Sequence, residues 1–153
     1  MLCCKLMTDK RIIGLDYGSV TVGVAMTDAL GITAQPLTTI FRSKENHLRQ
    51  TLAEIERLVT AYDVGLIVLG KPVHLDGSEG ERVRLTEAFG DKLAARIPDI
   101  PIVFQDERLT TAEADEILEE MEIPVSRRKE KIDSIAAAII LRDYMNMREK
   151  NGQ

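Results

Sequence analysis

Three acidic residues in separate segments have the residue type and the positions that suit metal-dependent chemistry. Asp16 ends an apolar run that starts at Arg11, Glu107 follows the apolar run 101–104, and Asp133 interrupts a strongly apolar helical stripe. If the three carboxylates converge, they offer the hard oxygen ligands that Mg²⁺ or Mn²⁺ prefers. An ion held in this way activates water for attack on a phosphate. The pattern therefore predicts an enzyme that cleaves phosphodiesters, with Asp16, Glu107 and Asp133 as its catalytic and metal-binding residues.

Asp16 lies in the segment 14–18, Gly-Leu-Asp-Tyr-Gly, on a predicted core strand just before a glycine turn. An ionised carboxylate in such a place is costly unless it is paired or bound to a cation. Two other interpretations stay open for Asp16 by itself. The aspartate can cap backbone groups of a turn, and the same hairpin occurs at the nucleotide site of actin-like and sugar-kinase ATPases.

Glu107 competes with its neighbour Asp106 for the role of inner ligand. Successive side chains of a strand point to opposite faces, so only one of the two can point at Asp16. We prefer Glu107 as the ligand and Asp106 as a structural residue. Arg108 follows them and is suited to a bidentate clamp on a phosphate, although a surface turn with an internal ion pair is the plainer explanation.

Asp133 lies beside the core stripe of the last helix, in line with Ala137, and the small alanines there permit a close approach to the sheet. The residues predicted to form this inner face are Ile132, Ile135, Ala136, Ile139 and Ile140. An ion pair with Lys129, one turn earlier, is the alternative. Positive charges crowd the start of this helix, where they oppose the helix dipole. They are Arg127, Arg128, Lys129 and Lys131. A solvated cluster is the common explanation for such runs, but its position beside Asp133 favours contact with nucleic acid.

The segment 70–82 joins a buried strand to a helix start and is rich in glycine. Backbone N–H groups and a helix N-terminus can hold a substrate phosphate there, with Lys71 and Arg82 close by. The acidic residues of the same segment favour a plain connection instead. The glycine spacing is not that of a Walker A loop.

Composition limits the class of protein. The 153 residues, 44% of them hydrophobic, predict one domain over residues 10–148, with a disordered tail at 1–9 and a frayed tail at 149–153. A net charge of −5 argues against a broad basic surface, so nucleic acid would have to be bound by local basic patches. No apolar run approaches the ~20 residues of a membrane span, and no signal peptide is evident, which predicts a cytoplasmic protein without membrane contact.

Periodicity predicts an α/β fold built on a five-stranded mixed sheet. Three closely spaced strands should be antiparallel neighbours, two later strands should follow crossovers, and helices should cover both faces. The predicted strands are 11–17, 22–27, 34–41, 64–69 and 101–105, and the predicted helices are 44–62, 78–97, 112–121 and 126–148. Ser78 and Ser126 are the expected helix caps, the former in a capping box with Glu81.

Four motifs in order resemble the YqgF family, the Holliday-junction-resolvase-like proteins of the RNase H-like superfamily, described as pre-16S rRNA nucleases. They are Gly14–Gly18 with Gly23–Ala25, Gly70–Pro72 with Asp76–Gly80, Asp106–Thr111, and Lys131–Ala137. The resemblance spans about residues 10–148 and implies an RNase H-like fold, with Asp16, Glu107 and Asp133 at the catalytic positions. Lys71 departs from a usually apolar position, and junction resolvases carry an acid where the fourth strand ends here in Gly70 and Lys71.

The resemblance further implies metal-dependent cleavage of nucleic acid in maturing the 5′ end of small-subunit rRNA. In the hypothesised mechanism Asp16 bridges two ions ~3.5–4 Å apart, while Glu107 and Asp133 complete the site. Residues Lys71, Arg82, Arg108 and the cluster 127–131 position the phosphate backbone of structured RNA, such as precursor rRNA, or of branched DNA. The chain is a monomer or a homodimer. The alternatives are a Holliday-junction-type DNA resolvase and a non-catalytic RNA-binding factor of ribosome assembly.

Overall fold

A computed structural model describes residues 10–72, 80–107, 116, 118–120 and 122–150. The predicted tail 1–9 and residues 151–153 lie outside this part of the chain, whereas Glu149 and Lys150 form the end of the last helix. Among the described residues, no helix combines the length and the apolar character needed to cross a bilayer.

The sheet has five strands in the order β3-β2-β1-β4-β5. The strands are β1 (Arg11–Tyr17), β2 (Thr21–Thr27), β3 (Ala34–Phe41), β4 (Val64–Pro72) and β5 (Ile102–Glu107). The first three are antiparallel neighbours, and β4 and β5 run parallel to β1. A tight hairpin, in which the N–H of Gly18 donates to the carbonyl of Thr21 at 2.7 Å, leaves no room for a crossover between β1 and β2. The predicted mixed sheet is confirmed.

Helices cover both faces of the sheet, as predicted, but they begin at different residues. They are α1 (Arg49–Ala61), α2 (Glu81–Arg96) and α3 (Val125–Lys150). Leu48 precedes α1, so the predicted start at residue 44 was wrong. Gly80, and not the expected Ser78, is the N-cap of α2. Ser78 lies outside the described residues. Ser126 is the second residue of α3 rather than its cap, because the helix begins at Val125. Of the predicted helix 112–121, residues 116 and 118–120 are helical.

The two faces of the sheet are packed with side chains of different size. On the face of α1 and α2, large residues such as Ile13, Leu15, Leu69 and Phe89 are fully buried. On the face of α3, the buried set is mainly smaller. It contains Ala25, Ala34, Val68, Ala137, Ala138, Ile140 and Leu141.

The predicted inner face of α3 is confirmed in part, because Ile135, Ile139 and Ile140 are buried. Ile132, expected inside, is 59% exposed. Ile135 and Ile139 pack with Leu118 in a separate small cluster, while Ala137 and Leu141 contact the sheet. A helix that uses its smallest residues as the contact face comes closer to the strands, which moves the large isoleucines to its flanks.

Two glycines of the sheet let α3 approach this closely. A Cβ at Gly14 would lie 2.8 Å from the Cβ of Leu141 and 2.9 Å from the carbonyl oxygen of Ala137. At Gly23 the conflict is sharper, because a Cβ there would lie 1.8 Å from the carbonyl oxygen of Asp133. The backbone of α3 therefore rests directly on Gly23.

Candidate active site

Asp16 and Asp133 meet on the α3 face of the sheet. Asp16 is the penultimate residue of β1 and pairs with Gly23 of β2. Directly paired residues of adjacent strands point to the same face, and Gly23 faces the backbone of Asp133. Asp16 therefore faces the first half of α3, and both carboxylates are partly buried. The structure brings these two sequence-predicted residues together.

The electrostatics of Asp16 reflect this encounter. Burial and then the charge of Asp133 raise the pKa of Asp16 from 3.8 to about 6, while the charge of Arg82 acts in the opposite direction. Both raising effects penalise the ionised carboxylate. A bound cation would relieve them, and two carboxylates supply the hard oxygen donors that suit Mg²⁺ or Mn²⁺ rather than a soft metal.

Arg82, another predicted site residue, reaches the end of β1 from the first turn of α2. Its Nη1 donates to a carboxylate oxygen of Glu45 at 2.7 Å, and its Nη2 donates to the carbonyl of Tyr17 at 3.2 Å. Its guanidinium also lies 5.2 Å from the centre of the Tyr17 ring. These contacts hold a positive charge next to the residue that follows Asp16.

Arg42 was not singled out from the sequence. Its Nη2 donates to the carbonyl of Gly18, its Nε donates to the carbonyl of Glu45 at 3.2 Å, and its guanidinium lies 4.7 Å from the Tyr17 ring centre. Its Nη1 is buried and has no hydrogen-bond partner in the described part of the chain. In the sequence, only its position directly after the predicted third strand could have drawn attention to Arg42. In the structure its N–H donates to the carbonyl of Val20, in the β1–β2 hairpin, at 2.8 Å.

Lys71 and Asp106 lie on the other face of the sheet and are not brought to Asp16. The ammonium of Lys71 is 3.7 Å from the carboxylate of Glu87 on α2 and 5.8 Å from the ring centre of Phe104. Gln105 donates to the sulfur of Met147 on α3 at 3.1 Å. Because side chains alternate along a strand, Asp106 points away from α3.

The other predicted site residues fall partly or wholly outside the described residues. The backbone of Glu107 ends β5 and pairs with Pro72, but its side chain is outside them. Arg108 is outside them entirely. The cluster of Arg127, Arg128, Lys129 and Lys131 belongs to the first turns of α3, again without described side chains. Within the described part, no group of three or more histidine, cysteine, aspartate or glutamate side chains converges as a metal site.

Sequence comparison identifies similar proteins over nearly the whole chain. The family model RuvX, described as Holliday junction resolvase, matches residues 10–147. A protein of Lachnospira eligens is 51% identical over 140 residues, which cover 92% of this chain and 99% of the relative. One of Agathobacter rectalis is 48% identical over 136 residues, which cover 89% of this chain and 94% of the relative. Both relatives are named "Putative pre-16S rRNA nuclease".

Structural comparison finds the same fold in junction resolvases. RuvC of Thermus thermophilus matches with a TM-score of 0.56 at 12% identity and covers 90% of this chain and 96% of its own. The fowlpox virus Holliday junction resolvase matches with a TM-score of 0.51 at 13% identity, covering 90% and 98%. These matches confirm the predicted RNase H-like fold.

Proposed function

This chain belongs to the RuvX family, and on that premise we propose that it is a divalent-metal-dependent nuclease that processes the 5′ end of pre-16S rRNA in the cytoplasm. The observation that carries the proposal is the seating of Asp133 on Gly23, beside Asp16. Burial and the charge of Asp133 raise the proton affinity of Asp16, so an ionised carboxylate at this sheet end is costly to fold. A cation held by the two carboxylates would offset that cost.

In this proposal Asp16, Asp133 and Glu107 hold Mg²⁺ or Mn²⁺. When bound, the ion supplies an activated water and stabilises charge at the phosphate. The chain's own contribution is to fix the ligands. Gly23 sets the height of α3 above the sheet, and Arg82 favours the ionised form of Asp16 at the pH at which the ion must bind.

Basic residues around the acids would bind the phosphate backbone of the RNA. Arg82 is supported by its place at the end of β1. The cluster 127–131 is included because it lies in the first turns of α3, which lead directly to Asp133. Arg108 is included because it follows β5 directly. Lys71 is left out of the proposed set because Glu87 holds it on the face of α2.

The proposal is tested with purified protein and a precursor rRNA fragment that contains the 5′ processing site, in Mg²⁺, Mn²⁺ or chelator. Asp16→Asn and Asp133→Asn are each expected to slow cleavage by about 10²–10³-fold, the loss typical of removing one charge-stabilising group. Asp99→Asn, an exposed carboxylate in the turn before β5, is the matched control and should cleave at the wild-type rate. Wild-type cleavage by Asp16→Asn in Mn²⁺ would refute the mechanism. If Asp16→Asn replaced the wild-type protein in cells that lack it, the chain would be a non-catalytic assembly factor.

A Holliday junction is the second candidate substrate, favoured by the description of the matching family model. Against it, β4 ends in Gly70, Lys71 and Pro72, where the resemblance to resolvases calls for an acid. Four-way DNA junctions belong in the same assay at equal concentration. Faster cleavage of the junction than of the rRNA fragment would transfer the assignment to DNA.

A further inference from the structure

An exposed phenylalanine lies close to the proposed catalytic end of the sheet. Phe41, the last residue of β3, is 75% exposed, whereas Phe104 and Tyr62, the next most exposed aromatic residues in the described part, are 43% and 38% exposed. A phenyl ring left in water costs free energy that a partner surface can recover. Its position decides which partner it suits.

Phe41 and Asp16 lie on the same face of the sheet. Asp16 pairs with Gly23, and Gly23 pairs with Thr39, so these three positions form one row beneath α3. Phe41 is two residues beyond Thr39 and shares its face, because side chains alternate along a strand. Ile40, between them, packs into the core on the opposite face, which confirms the alternation.

The separation suits a nucleotide next to the reacting phosphate. Phe41 is two strands across and two residues along from Asp16, which corresponds to roughly 12 Å between Cα atoms. Arg42, the next residue, is held on the hairpin by its N–H bond to Val20, so the end of β3 is tied to the strand that carries Asp16. The backbone that carries the ring therefore has a fixed position relative to Asp16.

Pairing of β3 with another strand does not explain why Phe41 is exposed. The edge of β3 contains Pro36, which has no N–H to donate, and the register with β2 shifts between Val24 and Ala25. Proline and bulges at an edge strand both discourage pairing with another chain. A ligand that uses the ring face rather than the strand edge fits better.

We infer that Phe41 stacks on an unpaired base next to the phosphodiester that Asp16 and Asp133 would cleave. The inference rests on the proposed function and specifies its substrate class. Bases inside a duplex are covered by their neighbours on both faces, whereas an unpaired base offers a free face to an aromatic side chain. The substrate is therefore nucleic acid that is single-stranded or flared at the cleavage site.

Binding is measured by fluorescence anisotropy with labelled RNA in Ca²⁺, compared between a single strand spanning the processing site and the same sequence as a perfect duplex. Phe41→Ala is expected to weaken binding of the single strand about tenfold, while Phe41→Trp retains it and duplex binding stays unchanged. Leu30→Ala is the matched control, because Leu30 is equally exposed, at 78%, but lies at the opposite end of the sheet. Melting temperatures verify that each variant folds.

A scan of single abasic nucleotides sharpens the test. An abasic nucleotide at one position should weaken binding by the wild type as much as the substitution Phe41→Ala does. The same abasic RNA should bind to the Phe41→Ala variant no more weakly than the intact RNA does. Equal affinity of Phe41→Ala and Leu30→Ala, or failure of tryptophan to restore binding, overturns the inference. A change of oligomeric state in Phe41→Ala, seen by light scattering, assigns the ring to a protein interface and also overturns it.

Cleavage assays separate this inference from the proposed function. If the wild type and Phe41→Ala both cleave single strands equally well with Mg²⁺ or Mn²⁺, the function stands and the role of Phe41 falls. If the wild type shows no metal-dependent cleavage, the proposed function falls and the role of Phe41 falls with it.

Discussion

The two faces of the sheet use side chains of opposite size for opposite purposes. The face of α1 and α2 buries large aliphatic and aromatic residues, including Leu15 and Phe89, whose contact area supplies hydrophobic stabilisation. On the other face, Gly14 and Gly23 lie against the backbone of α3, and the small residues there supply less area but allow a much closer approach. The closely packed face is the one on which Asp16 and Asp133 meet. In this fold, therefore, stability and the candidate chemistry are assigned to different sides of one sheet.

Single acid-to-amide substitutions at the end of β5 test most directly whether the two faces have different roles. Glu107→Gln should slow cleavage by about 10²–10³-fold, as expected for loss of a charged ligand, whereas Asp106→Asn should leave it unchanged because Asp106 points away from α3. The rates are measured with the same precursor rRNA in Mn²⁺. The reverse outcome would place the third ligand on the face of α2 and remove the division between the faces.

Closing the gap beneath α3 should damage both folding and activity. Gly23→Ala places a Cβ 1.8 Å from a backbone oxygen of α3, so the helix must move, at a cost of about 3 kcal/mol in the free energy of unfolding. The displaced helix carries Asp133 with it, so cleavage should fall even under conditions in which the variant is folded. Urea denaturation and single-turnover cleavage measure the two effects.

Leu15→Ala and Gly31→Ala are the controls for that substitution. Leu15→Ala creates a cavity on the opposite face and should cost about 2–5 kcal/mol, while the folded fraction keeps the wild-type cleavage rate. Gly31 has a φ of +71° and an open surrounding, so Gly31→Ala should cost only about 1–2 kcal/mol. A Leu15→Ala variant that folds but does not cleave would show that the faces are not independent.

Asp16→Asn should stabilise the metal-free protein at neutral pH. The pKa of Asp16 is about 6 in the folded state, above the unfolded value of 3.8. Protonation of Asp16 therefore stabilises the folded state near pH 4, and this contribution is lost as the pH rises through 6. Above pH 6 the wild type carries the full penalty, of the order of 2–3 kcal/mol. Urea titrations in chelator should therefore show a gain for Asp16→Asn at pH 7.5 that shrinks towards pH 4.

Asp28→Asn is a control of opposite sign. The N–H groups of Ile32 and Thr33 donate to Asp28 and lower its pKa, so its contribution is present at neutral pH and lost as the pH falls. Asp28→Asn should lower stability at pH 7.5. If Asp16→Asn also lowered stability at pH 7.5, burial and the charge of Asp133 would not destabilise the ionised form of Asp16.

The smallest effect on cleavage is expected for Arg82, a residue of α2 whose charge acts on Asp16 on the α3 face of the sheet. Arg82 extends from α2, yet its charge lowers the pKa of Asp16. Arg82→Gln should raise that pKa and reduce cleavage a few-fold at pH 6, with a smaller loss at pH 8. Arg84→Gln, two residues along α2 and exposed beside Glu81, is the control. An equal loss at both pH values would indicate that Arg82 contributes through binding of the phosphate backbone alone and not through the pKa of Asp16.

Much of the fold and part of the site were predictable because they follow from local patterns. Strand periodicity placed Asp16 at the end of β1, and the short β1–β2 connection required an antiparallel pair. Alternation showed that Asp106 and Glu107 oppose each other without showing which faces α3. The expected caps differ because Ser78 and Ser126 resemble caps locally, whereas Gly80 is the N-cap of α2 and α3 begins at Val125, one residue before Ser126.

The sequence by itself determined the order of the elements, the mixed sheet and the presence of acids at strand ends, since these depend on residues close together in the chain. Three features became clear only from the tertiary structure. The backbone of Asp133 rests on Gly23, and Lys71 and Asp106 lie on the opposite face of the sheet. The guanidinium groups of Arg42 and Arg82 both lie over the Tyr17 ring. Each of these contacts joins residues far apart in sequence. The first of them depends on how closely a helix can approach a sheet, and the missing Cβ of Gly23 sets that limit only once α3 has packed against it.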